Sequence, residues 1–478
     1  MSGDLSRLAM TVLHPGYEGI SAPDWLRRAL GEGLGGVVLF ARNAIDAQLV
    51  RHLRAENPAA VIAIDEEGGA VTRLEVENGS SFPGNRALGV VDDVALTERV
   101  GRQIGRMLAE LDITLDYAPD ADVNSNPANP VIGVRSFGPS PELVSRHTIA
   151  YVNGVQGAGV AACAKHFPGH GDTVTDSHLA LPTVHASREV LFSRDLPPFR
   201  AAIDAGVRAV MSGHLLIPAL DPSMPATLSR TAMTELLRGE LGFDGMLVTD
   251  SIDMQAVAAM FGPGEIAVRA LNAGVDAICV GQGTEEIVYE MRDAIVAAVR
   301  SGELPEERLA EAAARVLALS EWYGAQAALR DKARGDVDES VGLAAARAAL
   351  TTSGTATLDR APLVVEVNTR FNKAVDPATP TGITAALTAL LPNTARLQLD
   401  ASGELPDLAS DERPVVLVVH DAARHDWVRS TVTRALAMRP DAIVVDTGVP
   451  APPGAAVHVA THGISRVSAQ AAAEWLTQ

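Results

Sequence analysis

Along the first two thirds of the chain, apolar runs of strand length end in a polar or glycine-containing cluster and give way to stretches with helical periodicity. The runs are RLAMTVLHP, GGVVLFARN, AVIAIDEEGG, ITLDYAPDADV, GVAACAKHFPGH, RAVMSGHL, GMLVTDS and GVDAICVGQG, separated by amphipathic segments such as DAQLVRHLRAEN and ALTERVGRQIGRMLAELD. Eight continuous apolar strands alternating with helices predict a parallel sheet covered on its outside. That number matches a closed (β/α)8 TIM-type barrel, placed here over residues 1–325. An open doubly wound sheet is the competing arrangement, but no Gly-x-Gly-x-x-Gly opens a helix after the first strand.

Past residue 325 the pattern changes. RDKARGDVDES is charged and poor in apolar residues, so residues 326–360 are read as a linker with the helix GLAAARAAL. The runs PLVVEVN, PVVLVVHD and DAIVVDTG then alternate with helical segments, which predicts a smaller α/β domain over 361–478. A chain of 478 residues is long enough for two domains, and 47% hydrophobic residues can fill both cores.

The net charge of −20 argues against a nucleic-acid backbone or an anionic membrane as partner, and no apolar run reaches transmembrane length. Cys163 and Cys279 each sit inside an apolar run, which predicts reduced, buried thiols rather than a disulfide or a thiolate metal site. The N-terminal segment lacks the long apolar core of a secretory signal, so the expected compartment is the cytoplasm.

A barrel of this kind carries its chemistry at the C-terminal ends of its strands, where this sequence places His14, Arg42, Asn43, Asp65, Asp122, Lys165, His166, His214 and Asp250. The densest cluster is KHFPGHGDTVTDSH, residues 165–178. A metal reading would use His166, His170 and His178 with Asp172 or Asp176. The first strand offers only His14, however, and no His-Glu-x-x-His occurs, so neither a metal nor another cofactor is expected. A phosphate cradle at FPGHGD is disfavoured by Asp172 and Asp176, which would repel a dianion. In an acid–base reading, Asp176 lies two positions before His178, where loop backbone can turn both side chains to one side and let the carboxylate orient the imidazole. Gly169 and Gly171 just before the pair suggest a mobile loop carrying it over a substrate. Asp250 closes a strongly apolar strand and is either a helix N-cap or a catalytic carboxylate. A carboxylate nucleophile facing a separate proton donor is the arrangement of retaining glycosidases.

The stretch KHFPGHGDTVTDSH resembles the signature of the N-acetylglucosaminidase branch of glycoside hydrolase family 3. IDEEGGAVTRL, YAPDADVNSNPANPVIGVRSFG and LGFDGMLVTDSIDM are similar to further segments of that family. The resemblance implies Asp250 as nucleophile and His178 as acid/base oriented by Asp176, with Asp65, Arg135, Lys165 and His166 binding the sugar. Three positions depart from the family pattern: Glu66 stands for glutamine, Ala70 for arginine and Asp120 for an apolar residue. The first two put the fine shape of the subsite in question. Asp120 is either a charge at the pocket rim or, as preferred here, a solvated loop residue.

The implied function is a retaining exo-β-N-acetylglucosaminidase of peptidoglycan recycling, acting in the cytoplasm on N-acetylglucosamine-containing muropeptides or chitooligosaccharides. The alternative is a phosphorylase with the same residues, because a histidine acid/base repels inorganic phosphate less than a carboxylate would. A metal-dependent barrel hydrolase and a non-catalytic sugar-binding protein are the remaining classes.

Overall fold

The structure is a computed structural model that describes residues 2–335, 337–367, 369, 372–451 and 454–478. Its first sheet system holds eight short parallel strands: β1 (Leu13–Pro15), β2 (Gly36–Leu39), β3 (Val61–Ile64), β4 (Leu115–Asp116), β5 (Ala161–Phe167), β6 (Ala209–Ser212), β7 (Met246–Thr249) and β8 (Ile278–Val280). Strands β2 to β7 pair in sequence order and β1 pairs with β8. The bridge Val248–Ala277 joins β7 to the start of β8, and Gly35 donates its N–H to Met10 O at 3.0 Å beside β1, so the strands curl into a (β/α)8 barrel.

Both faces of these strands are apolar because both are covered. Val38, Ala63, Leu115, Cys163, Met211 and Cys279 belong to a cluster inside the barrel. Val37, Leu39, Ile62, Ile64 and Leu247 belong to the larger one beneath the outer helices. The two cysteines are buried free thiols in the interior layer, as their sequence context predicts.

Two of the apolar runs are less regular than the sequence suggests. In RLAMTVLHP only the end is strand, and Ser2–Thr11 is helix. Leu5, Leu8 and Ala9 recur at helical spacing and pack into the outer core, which outweighs the run's strand-like composition. In ITLDYAPDADV the regular strand is only Leu115–Asp116; beyond it Tyr117 N–H still donates to Ile64 O at 2.7 Å and Ala118 O accepts Cys163 N–H at 2.8 Å, but Pro119 has no N–H to donate and the pairing goes on as the bridge Asp120–Lys165.

The second sheet has the order β11-β10-β12-β13-β14-β9, with β9 Thr351–Ser353, β10 Leu363–Val367, β11 Ala395–Leu399, β12 Val415–Val419, β13 Ile443–Asp446 and β14 Val457–Ala460. All neighbours are parallel except β9, which pairs antiparallel with β14. This sheet therefore takes in a strand from the segment read as linker. The run RDKARGDVDES also enters the helix Ala327–Ala333, where Arg330 is buried and its guanidinium lies 3.6 Å from the Tyr323 ring centroid.

The two domains meet around the loop after β3. Ala70 and Val71 pack against Val375 and Ile464, and Arg466 N–H donates to Ser80 O at 3.1 Å. Among the described residues no helix is long and apolar enough to cross a membrane.

Candidate active site

A cavity of about 380 Å³ opens at the C-terminal ends of the barrel strands, and one of its walls is the second-domain loop 372–377. Asp65 follows β3, Arg135 lies in the loop after β4, Lys165 and His166 end β5, and Asp250 follows β7; all of them line it, together with His178. Arg42 lines it as well. The other strand-end candidates do not. His14 is fully buried with neither ring nitrogen hydrogen-bonded, and burial lowers its pKa to about 3, so it is a neutral core residue. Asn43 ties its loop to the one after β1, accepting from Phe40 N–H at 2.9 Å and donating to Gly19 O at 2.7 Å. His214 is buried between Thr227 Oγ1 at 2.9 Å and Ser251 O at 3.0 Å, where it props the end of β7.

The deep end of the cavity is an ion-pair network. Lys165 Nζ sits 2.7 Å from both Asp65 Oδ1 and Glu67 Oε1, and Arg135 grips Glu67 with two bonds of 2.7 and 3.0 Å. Burial pushes the Glu67 carboxyl up, but the two cations more than reverse it and hold it well below the usual carboxylate range. Burial likewise disfavours charge on Lys165 and Arg135, and their carboxylate partners raise both above their ordinary values. Every donor here is fixed before any ligand arrives. Glu67, which couples Lys165 to Arg135, is absent from the sequence-predicted set. Its only signal is its place beside Asp65 in IDEEGG.

His166 is the second deep group. Its Nδ1 lies 2.8 Å from Asp122 Oδ2 and its Nε2 3.5 Å from Arg135. Burial and the guanidinium lower its pKa to about 4, so it is a neutral ring at pH 7. Asp122 is therefore a support behind the cavity rather than part of its lining. Asp120 corrects the expectation of a solvated loop residue, since it is fully buried. Its bridge to Lys165 turns it inward, with Oδ1 accepting Asp122 N–H at 3.1 Å and Oδ2 lying 3.9 Å from Arg135. Burial raises its pKa well above the ordinary value.

Among the described residues, Asp120, Asp122 and His166 are the group that brings ligand-type atoms within 4.8 Å of one another. Arg135 beside Asp120 opposes a cation there. The histidines weighed as a metal cage do not converge: His170 is buried between Thr173 Oγ1 at 2.8 Å and Ser177 Oγ at 3.1 Å, and Asp172 pairs with Arg194 at 2.9 Å.

The acid–base pair is formed. Asp176 Oδ1 lies 2.8 Å from His178 Nδ1 and also accepts the His178 backbone N–H at 2.9 Å. This bond holds Nδ1 on the carboxylate and leaves Nε2 for the cavity. Burial raises the Asp176 carboxyl, but the bonds from His178 override it and keep it below its ordinary value, so it stays ionised. The glycines before the pair anchor the loop rather than release it. Gly169 has φ +127°, and a Cβ on Gly171 would lie 1.7 Å from Val123 O. The His170 N–H is held by Asp122 Oδ1 at 2.5 Å. Only the stretch beyond is open, with Val174 69% and Leu179 65% exposed on either side of the dyad.

Asp250 does not cap a helix, because the next one begins at Gln255 with Met254 at its N-cap. Its Oδ1 accepts Ser251 N–H at 2.7 Å. Burial raises its carboxyl, but the neighbouring histidines 166, 214 and 178 and that N–H bring it below the ordinary range, so it is an anion at neutral pH.

Glu66 and Ala70 both lie behind the cavity rather than in it. Ala70 belongs to the apolar contact with the second domain. Glu66 Oε2 accepts the N–H groups of Arg73 and Leu74 at 2.8 and 3.1 Å, and burial raises its pKa to about 7. The native state thus keeps Glu66 protonated where the unfolded chain ionises it, so stability falls as the pH climbs from the ordinary value of 4.5 to about 7. Glu66→Gln supplies the same acceptor without the proton. It is expected to raise the melting temperature at pH 8 by a few degrees, about 1–2 kcal/mol, with no gain at pH 4. Calorimetric scans of both proteins at the two pH values check this, and equal gains at both would refute it.

Residues 28–319 match the glycosyl hydrolase family 3 N-terminal domain. The chain is 39% identical over 350 residues to beta-hexosaminidase A of Pseudoalteromonas piscicida, a match covering 66% of this chain and 57% of that protein. It is 36% identical over 321 residues to a beta-hexosaminidase of Chromobacterium violaceum, covering 63% of this chain and 88% of that one. Its structure superposes with a TM-score of 0.89 on a glycoside hydrolase family 3 beta-N-acetylglucosaminidase from Paenibacillus sp. str. FPU-7 at 36% identity, over 99% of this chain and 96% of the other.

Proposed function

The chain belongs to glycosyl hydrolase family 3, and from that premise we propose that it is a retaining exo-β-N-acetylglucosaminidase. The observation that carries this reading is the convergence of Asp250, an ionised carboxylate, and the Asp176-braced His178 on one cavity. The proposed substrates are cell-wall turnover fragments bearing a nonreducing β-linked N-acetylglucosamine. The proposed compartment is the cytoplasm, a reading supported by the two free thiols.

In the first step Asp250 attacks the anomeric carbon while His178 Nε2 gives its proton to the departing oxygen. A covalent glycosyl-enzyme results. In the second step the neutral imidazole takes a proton from water, which attacks the same carbon and releases Asp250, so the β configuration is restored. Asp65, Lys165 and Arg135 hold the sugar hydroxyls through charge-assisted bonds. An analogue lacking a hydroxyl leaves these groups unpaired, which makes recognition strict. His166, neutral and backed by Asp122, offers a ring nitrogen to the same sugar.

Turnover of a chromogenic β-N-acetylglucosaminide followed by NMR tests the reading. Free N-acetylglucosamine is expected first as the β-anomer, with and without inorganic phosphate. An initial α-anomer would exclude the double displacement, and a sugar 1-phosphate as main product in phosphate would make the protein a phosphorylase.

A further inference from the structure

Two ends can be told apart in the cavity. The sugar-facing groups Lys165, Arg135 and His166 are buried and come from the barrel, whereas the loop 372–377 of the second domain forms an outer wall with Lys373 exposed on it. An enzyme that removes one terminal sugar holds that sugar at the closed end, so the rest of the substrate extends toward the mouth. The second-domain loop therefore meets the aglycone.

This loop is fastened to the barrel at three points. Asn372 Nδ2 donates to Val131 O at 2.9 Å, and an Arg73 N–H donates to Ala374 O at 2.9 Å. Val375 is buried against Ala70, Val71 and Ile464. Ala70 makes the third contact possible: an arginine there would put a guanidinium into this apolar cluster. Lys373 stands between the first two fastenings.

The cations on the wall differ in how far they are engaged. Arg42 lies 3.1 Å from Glu18 and donates to Tyr17 O and Gly281 O at 2.9 and 2.5 Å. Arg73 lies 3.8 Å from Asp65 in addition to its bond to the loop. Lys373 has no ion-pair partner among the described residues. The acidic groups lining the same mouth already accept backbone hydrogen bonds, Asp253 from Gly281 N–H of the loop after β8 at 2.8 Å and Asp376 from Ala378 N–H of its own loop at 2.9 Å. Lys373 is thus an ammonium held on a fastened loop, beside the path of the leaving group and free to take an anion.

We propose that Lys373 is a specificity-determining residue that recognises a carboxylate on the aglycone, so that the second domain selects acidic β-N-acetylglucosaminides over neutral ones. The inference rests on the glycosidase reading above and names the substrate class of that site.

A matched pair of substrates tests it: 4-carboxyphenyl and 4-carbamoylphenyl β-N-acetylglucosaminide, with release of N-acetylglucosamine measured for the full chain and its variants. The ratio of kcat/KM, carboxylate over amide, is expected to fall about tenfold in Lys373→Gln and to be kept in Lys373→Arg. In the unmodified chain the ratio should shrink as salt rises from about 20 mM to about 500 mM, because the ammonium is exposed to screening. Leaving-group chemistry cancels in the comparison between proteins. A ratio in Lys373→Gln within twofold of the parent at low salt overturns the inference and leaves the glycosidase reading standing, as does an equal loss on both substrates. Absence of turnover of both substrates by the unmodified chain overturns both readings.

Discussion

Asp250→Ala and Asp250→Asn are each expected to lower turnover of a chromogenic β-N-acetylglucosaminide by about 10⁴-fold or more, while the protein keeps its fold. Neither side chain can form the glycosyl-enzyme, and the other carboxylates lining the cavity are already engaged, Asp65 with Lys165 at 2.7 Å, Asp253 with Gly281 N–H at 2.8 Å and Asp376 with Ala378 N–H at 2.9 Å. The ion pairs among Asp65, Glu67, Lys165 and Arg135 do not involve Asp250, so substrate binding should survive. The shorter variant adds a stronger test. Alanine leaves a space on the face of the sugar opposite the leaving group, into which azide can enter. Turnover should then recover in part, with α-glycosyl azide as the product, because a single displacement inverts the anomeric centre. Near-normal activity of both variants without azide would remove Asp250 from the reaction and with it the proposed mechanism.

The barrel was legible because parallel strands covered on both sides write themselves as unbroken apolar runs, and each of the eight runs does contain a strand. What the runs conceal is their length. Leu8, Ala9 and Met10 lie in such a run yet are helical, and another run keeps only two residues of regular strand before Pro119, since local composition does not say which hydrogen bonds the backbone can complete. The same limit applies to the site. Asp250, His178 and Lys165 stand out because each interrupts or ends an apolar or glycine-rich stretch. Glu67 is equally buried and joins Arg135 to Lys165, but in the sequence it is one acid beside two others, and only the fold shows which cation each acid meets. Asp120 looks like a loop carboxylate until its bridge to Lys165 turns it inward. Lys373 has no local signal, because it lies more than a hundred residues beyond Asp250 and reaches the cavity only through the packing of the second domain.

Loss of His178 should depend on the leaving group in a way that loss of Asp250 does not. A histidine proton matters most when the departing oxygen is a poor leaving group, as in a sugar–sugar bond, and least when it is an activated phenolate. His178→Ala is therefore expected to lower kcat/KM on an N-acetylglucosamine disaccharide by about 10³-fold but by only about tenfold on a dinitrophenyl glycoside. On the activated substrate, a burst of phenolate should precede slow steady turnover, since the second step lacks its base and the glycosyl-enzyme accumulates.

Asp176→Asn separates orientation from proton transfer. One oxygen of the carboxylate accepts hydrogen bonds from both Nδ1–H and the backbone N–H of His178, and those bonds keep it ionised. An asparagine can still accept one of them, so the ring should stay near its place without the carboxylate charge behind it. The expected loss on the disaccharide is about 10- to 100-fold, between the parent and His178→Ala, and the double variant should be no slower than His178→Ala alone. Independent, multiplying losses in the double variant would mean that Asp176 acts on the substrate directly, and the two residues would no longer form one acid–base unit.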